Sequence, residues 1–216
     1  MQRLGEECVV GEEKPRTVYW LGSSLYLNIT NKCSNNCWFC IRNFKKSVGG
    51  SNLKLEKEPT TAEVKAELKK ALTLRRWSEV VFCGFGEPTA RLDVLLKIAS
   101  WLRERYASIP IRLDTNGHGY ALNKDRDVAE ELQAAGLSSI SVSLNGHDEA
   151  SYAENCKPVC GGFAAVIEFV KKAKMAGLEV EVSAVRMREV NIRKVKAVAK
   201  SLGVPLRVRG YIPCFW

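Results

Sequence analysis

Two hydrophobic periods alternate along this chain. Short apolar runs with strand character fall at residues 25–29, 80–83, 111–113, 139–144, 178–185 and 204–208. In the fourth, Ile140, Val142 and Leu144 alternate with serines; in the fifth, Val180, Val182 and Ala184 alternate with Glu179, Glu181 and Ser183. This period of two marks strands. Between the runs the period lengthens to that of a helix. Val64, Leu68, Ala71 and Leu72 form one stripe, and Thr60 with Glu63 reads as a capping box in front of it. Leu92, Leu95, Leu96, Ala99 and Leu102 form a second stripe. A third (Val128, Leu132, Ala135) stops at Gly136, a fourth (Phe163, Val166, Ile167, Val170) at Gly177, and a fifth (Ile192, Val195, Ala199, Leu202) at Gly203.

Six strands spaced by five helices imply an α/β chain whose strands run parallel. Six such units suit an open, partial parallel βα barrel. Residues 44–58 are polar around Gly49-Gly50-Ser51-Asn52 and read as a mobile loop after the first strand. Residues 1–23 read as a leader, with an edge strand at 17–20, and residues 24–216 as a single core domain.

Composition narrows the class. With 46% hydrophobic residues the chain is globular. The N-terminus lacks an apolar signal region, and no apolar run is long enough to span a membrane. A cytoplasmic location follows, in which the eight cysteines stay reduced and available to metal. The net charge is +9, concentrated in Arg186, Arg188, Arg193, Lys194, Lys196, Lys200, Arg207 and Arg209, opposed only by Glu189. Such a stretch suits a nucleic acid or phosphate partner, or the solvated helix faces of a basic enzyme.

Candidate chemistry gathers where the strands end, the position of sites in parallel βα folds. After the first strand comes Lys32-Cys33-Ser34-Asn35-Asn36-Cys37-Trp38-Phe39-Cys40, three thiols spaced C-x3-C-x2-C. Thiolate-only ligation suits an iron–sulfur cluster or zinc. Three ligands leave a coordination position open, which points to catalysis. A structural zinc site completed by Cys83 or Cys214 is the alternative. The second strand ends in Cys83-Gly84-Phe85-Gly86-Glu87-Pro88-Thr89, where glycine admits a ligand close to the backbone and a carboxylate can face an ammonium. The third ends in Thr115-Asn116-Gly117, the fourth near Ser141, Ser143 and Asn145, and the fifth at Arg186 and Arg188. The arginines suit a carboxylate or phosphate. Cys156, Cys160 and Cys214 are too scattered for a second cluster and read as small apolar residues or one redox-active thiol. His118 and His147 read as loop residues making hydrogen bonds.

The cysteine run resembles the signature of the radical S-adenosylmethionine (radical SAM) superfamily. The resemblance spans residues 25–211. It implies that Cys33, Cys37 and Cys40 hold one [4Fe–4S] cluster whose open iron binds S-adenosylmethionine (SAM). The reduced cluster then cleaves SAM to a 5′-deoxyadenosyl radical that abstracts hydrogen from a substrate. Gly86 and Glu87 match that family's Gly-Gly-Glu-Pro motif, which holds the SAM amino group; Phe85 replaces its first glycine. Phe39, Thr115, Asn116, Ser143, Asn145 and Arg186 match positions near SAM, and Arg188 and Arg209 are assigned to substrate. The resemblance also implies a low-potential electron donor such as a ferredoxin or flavodoxin, and the basic stretch adds an RNA or nucleotide substrate. The cysteine run, residues 84–89 and Asn155-Cys156-Lys157-Pro158 look most like the small TatD-associated radical SAM proteins. Two other classes remain at this point: an activating enzyme that generates a radical on a partner protein, and a non-catalytic zinc- or nucleic-acid-binding module.

Overall fold

A computed structural model describes residues 14–211. The proposed alternative ligand Cys214 and residues 1–13 of the expected leader lie outside the described residues.

Strands β1 (Val18–Leu21) and β2 (Ser24–Leu27) form an antiparallel hairpin, and Gly22 takes its turn at φ 58°. A two-stranded ribbon follows, β3 (Ser47–Val48) with β4 (Ser51–Asn52). Then come α1 (Thr61–Leu72), β5 (Glu79–Phe82), α2 (Leu92–Arg105), β6 (Ile111–Thr115), α3 (Gly119–Leu122), α4 (Val128–Ala134) and β7 (Ser139–Ser143). The chain continues through α5 (Glu149–Cys156), α6 (Phe163–Met175), β8 (Glu179–Arg186), α7 (Ile192–Ser201) and β9 (Leu206–Gly210).

The large sheet has the order β1-β2-β5-β6-β7-β8-β9, and every neighbouring pair from β2 to β9 is parallel. The six expected parallel strands are therefore present, and the seventh is the antiparallel edge β1. Each strand lies beside its predecessor, so right-handed crossovers put every connecting helix on one face. The sheet curls into a half-barrel with that face outward. Leu25, Leu27, Val80, Phe82, Ile111, Leu113, Ile140, Val142 and Val182 point to the helices and are buried to within 1%. Val64 and Leu68 of α1, Leu95 and Ile98 of α2, Leu132 of α4 and Phe169 of α6 meet them in one core.

The opposite face is polar. Arg112 donates to Glu79 (2.9 Å) and to Asp114 (2.6 Å), and Ser24 donates to Glu79 (2.7 Å). Arg207 pairs with Glu181 (2.8 Å) and donates to Ser141 (3.0 Å). This alternation of apolar outward and charged inward positions accounts for the period-two strands.

Local signals hold where they are strong. Thr60 and Glu63 form the capping box of α1. Gly136, Gly177 and Gly203, which end three helices, all have positive φ. The expected mobile loop at 44–58 is instead anchored. It carries the β3–β4 ribbon and buries Leu53 and Leu55, with Asn28 Nδ2 donating to Leu53 O (2.8 Å) and Asn31 Nδ2 to Leu55 O (2.6 Å). Helices α3 and α5 were not anticipated. The second has little hydrophobic periodicity, but Asp148 and Ser151 form a capping box at its start.

Candidate functional site

The cysteine segment leaves the end of β2 and is gripped on three sides. On the β5 side, Glu87 N donates to Lys32 O (2.7 Å). A Cβ on Gly86 would stand 2.5 Å from the carbonyl oxygens of both Thr30 and Lys32, so only glycine lets the two loops approach. On the α5 side, Asn35 bridges Pro158, Asn36 N donates to Cys156 O (3.0 Å), and Val159 N donates to Ser34 O (2.8 Å). On the third side, Arg42 donates to Asn31 O (3.3 Å) and Asn35 O (3.2 Å). The segment Asn155-Cys156-Lys157-Pro158 thus clasps the cysteine run.

Cys33, Cys37 and Cys40 are all partly buried. Burial pushes the Cys33 thiol up to about 11 and also raises Cys40. A hydrogen bond with the buried Cys156, then burial, raises Cys37. The guanidinium of Arg42 opposes the rise at all three. In the metal-free protein these thiols keep their protons, and ligation would release them.

Glu87 sits at the end of β5, 2% exposed, and joins two strand ends. Its carboxylate accepts from Thr89 N (3.0 Å), Thr89 Oγ1 (2.7 Å), Thr115 Oγ1 (2.8 Å) and Asn116 N (2.6 Å). Burial nonetheless raises its pKa. The side chain is therefore a buckle between β5 and β6, and the backbone of residues 84–87 is what it presents to a ligand.

The remaining predicted residues divide. Asn116 reaches the cysteines: its Nδ2 donates to Ser34 Oγ (2.8 Å) and stands 3.7 Å from Cys33 Sγ. Phe39 packs edge-on against Trp38 beside Cys40. Thr115 is engaged with Glu87 and with Gly117 N. Asn145 ties two strands, accepting from Val185 N (2.9 Å) through its side chain and from Asn155 through its carbonyl. Ser143 accepts from Arg209 (3.4 Å) on the polar face. Arg209 is exposed on β9, and its positive charge favours the ionised forms of Cys40, Cys83 and Asp114. Arg186 is the last residue of β8 and Arg188 follows it; both are exposed and, among the described residues, make no hydrogen bond or ion pair to the cysteine segment.

Several residues that matter here were not singled out from the sequence. Asn31, Ser34, Asn35 and Tyr152 hold the cysteine segment, while His118, read from the sequence as a hydrogen-bonding loop residue, lies fully buried and bonds Ser34. A pocket of about 420 Å³ opens beside the segment, lined by Arg42, Lys45, Lys46, Lys54 and Phe85 among others, with no carboxylate.

The donor set can be tested against its two candidate occupants. Among the described residues no three His, Cys, Asp or Glu side chains converge as ligands of a single ion. A zinc takes four ligands on one ion, whereas a cubane held by three thiolates keeps one iron open. Cys83, the described candidate for a fourth zinc ligand, lies apart between Tyr19 and Asp114, its thiol pushed up to about 12 by burial. Three thiols on one short, clamped segment fit the cluster.

Comparison with known proteins agrees with this geometry. The family model described as the Radical SAM superfamily matches residues 27–202. The Fe-coproporphyrin III synthase of Methanosarcina barkeri is 27% identical over 187 residues, 87% of this chain and 41% of that protein. The GTP 3′,8-cyclase of Paenarthrobacter nicotinovorans is 31% identical over 191 residues, 88% of this chain and 49% of that protein. The chain spans about half the length of the curated relatives it matches. Among solved structures, native anSMEcpe with bound AdoMet superimposes with a TM-score of 0.66 at 20% identity, over 87% of this chain and 51% of that one. Streptococcus suis SuiB bound to S-adenosylmethionine gives 0.62 at 17%, over 87% and 38%. At these identities the structures show the shared fold.

Proposed function

The chain belongs to the Radical SAM superfamily, and from that premise we propose an enzyme in which Cys33, Cys37 and Cys40 hold one [4Fe–4S] cluster beside a SAM site. The observation that carries this reading is the clamping of residues 32–36, where the cysteine run begins, between residues 84–87, the end of β6 and the Asn155-Cys156-Lys157-Pro158 turn. When bound, the cluster supplies the electron that cleaves SAM, so that a hydrogen atom can be taken from a substrate.

The chain's own residues position and exclude. Gly86 and Glu87 offer backbone to the SAM amino group, and the Glu87 side chain keeps that backbone fixed against β6. Phe39 flanks the adenine, and Asn116 and Ser143 face the same mouth. Thr115 and Asn145 serve as ties that hold their strand ends, while Arg186 and Arg188 stand further out. Arg42 and Arg209 place positive charge near the thiolates, which favours the ligating form.

The polar inner face supports an anionic substrate. Arg209 stands at its mouth, and a nucleotide or RNA phosphate has the chemistry it would pair with. The relatives named GTP 3′,8-cyclase favour a nucleotide within that class. The clasp at Asn155-Cys156-Lys157-Pro158 supports the TatD-associated subgroup, since that stretch carries the resemblance. The basic pocket at Arg42, Lys45, Lys46 and Lys54 suits an acidic, low-potential electron carrier such as a flavodoxin or ferredoxin. No helix among the described residues is long and apolar enough to cross a membrane, and the free thiols suit the reducing cytoplasm.

The test is anaerobic reconstitution with iron and sulfide, then dithionite and SAM, with 5′-deoxyadenosine assayed by chromatography. The proposal expects four irons per chain and product formation that Cys37→Ala abolishes. A protein that takes up one zinc and no iron would overturn it.

A further inference from the structure

Ser34 follows the first cysteine and is 4% exposed. Its Oγ lies 2.8 Å from Asn116 Nδ2 and 3.1 Å from Nδ1 of His118, which is itself 0% exposed. Two fixed groups decide where the protons of this cluster sit. Gly162 N lies 3.2 Å from the other ring nitrogen of His118, Nε2, and a backbone N–H can only donate. Nε2 must therefore accept. The Tyr152 hydroxyl, 3.2 Å from the same nitrogen, is supplied by Asn35 Nδ2 at 2.9 Å and so donates to Nε2 as well. Burial holds His118 below the ordinary histidine pKa, so the ring is neutral and its one proton is on Nδ1.

That proton points at Ser34. Asn116 is fixed too: its Oδ1 accepts from His118 N (3.0 Å), which leaves Nδ2 to donate to Ser34. The Ser34 oxygen thus accepts twice, and both lone pairs are used. Its own O–H must then donate, and among the described residues no oxygen, nitrogen or sulfur takes it. The Asn116 amide nitrogen that donates to Ser34 also donates to Cys33 Sγ (3.7 Å), so one amide links Ser34 to the first cysteine.

We infer that His118, acting through Ser34, is a positioning residue that keeps a hydroxyl donor free for the sulfur of the centre held by Cys33 and so raises that centre's reduction potential. The inference rests on the cluster reading above. A hydrogen bond to cluster sulfur offsets the charge added on reduction, and such bonds are a recognised control on Fe–S potentials. The packing is specific to this arrangement. A Cβ on Gly161 would stand 2.8 Å from the His118 ring, so the turn before α6 closes directly onto the imidazole.

The experiment is a redox titration of the reconstituted holoprotein without SAM or substrate, followed by the reduced cluster's EPR signal. Ser34→Ala lowers the reduced-to-oxidised ratio at a fixed potential by roughly tenfold, equivalent to about 59 mV for one electron. His118→Leu keeps the hydroxyl but frees it to turn; the ratio falls in the same direction by about threefold. This variant carries the test if Ser34→Ala fails to load. Tyr152→Phe leaves Gly162 to set the tautomer but removes the hydroxyl that anchors Asn35, so it reads loosened packing alone and shifts the ratio less than Ser34→Ala or His118→Leu. Ser34→Thr retains the wild-type value. An unmoved potential in the loaded Ser34→Ala or His118→Leu protein overturns the inference, as does an equal shift in Tyr152→Phe, which would indicate loosened packing. A wild-type protein that assembles no iron–sulfur centre overturns the underlying reading and the inference together.

Discussion

The side-chain oxygen of Asn28 occupies the space that a Cβ on Gly84 would need, and the same oxygen accepts the amide of Phe85 at 3.3 Å. Its nitrogen donates to Leu53 O (2.8 Å) and Arg16 O (3.2 Å). One buried amide therefore fixes the Gly-Phe-Gly-Glu turn against both β2 and the ribbon. Asn28→Ala leaves buried backbone partners unsatisfied and should cost about 2–3 kcal/mol in urea unfolding of the metal-free protein. Gly84→Ala should destabilise comparably through overpacking. Because Asn28→Ala removes the obstructing oxygen, the double variant should lose clearly less than the two single losses combined.

Glu87 gives a second test. Its carboxylate has four donors and no solvent, and Glu87→Gln turns an amide NH2 toward some of those donors. A loss of about 2–3 kcal/mol is expected in the same unfolding assay. Since β5 and β6 are joined there, SAM affinity of the reconstituted protein should fall as well. A variant with wild-type stability would show that the buckle contributes nothing.

The sheet was legible because its outward and inward positions differ so sharply. Ile111, Leu113 and Thr115 face the core while Arg112 and Asp114 face the polar side, so period two survived in the sequence. Helix stops were legible where glycine takes positive φ, as at Gly136. The grouping of the three cysteines was legible because they share one short segment, whatever the rest of the chain does. What holds that segment was not. Asn35, Tyr152 and Pro158 meet across more than 110 residues, and polar side chains paired at that range leave no local pattern. The ribbon at 47–52 was hidden for a related reason: its apolar anchors are few, Leu53 and Leu55 buried and Val48 partly so, and its other residues are polar or glycine.

His118 makes stability depend on pH. Its folded pKa lies below the ordinary 6.5, because burial disfavours the imidazolium. Below 6.5 the unfolded chain takes up a proton that the folded protein refuses, so the unfolded state binds more protons and stability falls as pH falls. The loss begins at 6.5 and levels off at the depressed value. Thermal unfolding of the metal-free protein from pH 7.5 to 5 should show this decline. His118→Leu should flatten that part of the profile, although its stability at pH 7.5 is lower.

The basic pocket predicts how electrons enter. Lys45→Glu with Lys54→Glu should slow cluster reduction by reduced flavodoxin at least tenfold at low ionic strength. The difference should shrink as salt screens the encounter. Light-driven reduction by a deazaflavin should be unchanged, which separates docking from damage to the cluster. Equal slowing with both reductants would contradict the docking role.

The most direct test of the central claim is the EPR spectrum of the dithionite-reduced, reconstituted protein before and after SAM is added. With Cys33, Cys37 and Cys40 as the proposed ligands one iron is open, so SAM should change the g values of the reduced cluster, and Cys40→Ala should show no such cluster signal. A reduced cluster whose spectrum is indifferent to saturating SAM would contradict an open iron beside a SAM site, and with it the enzymatic reading of this chain.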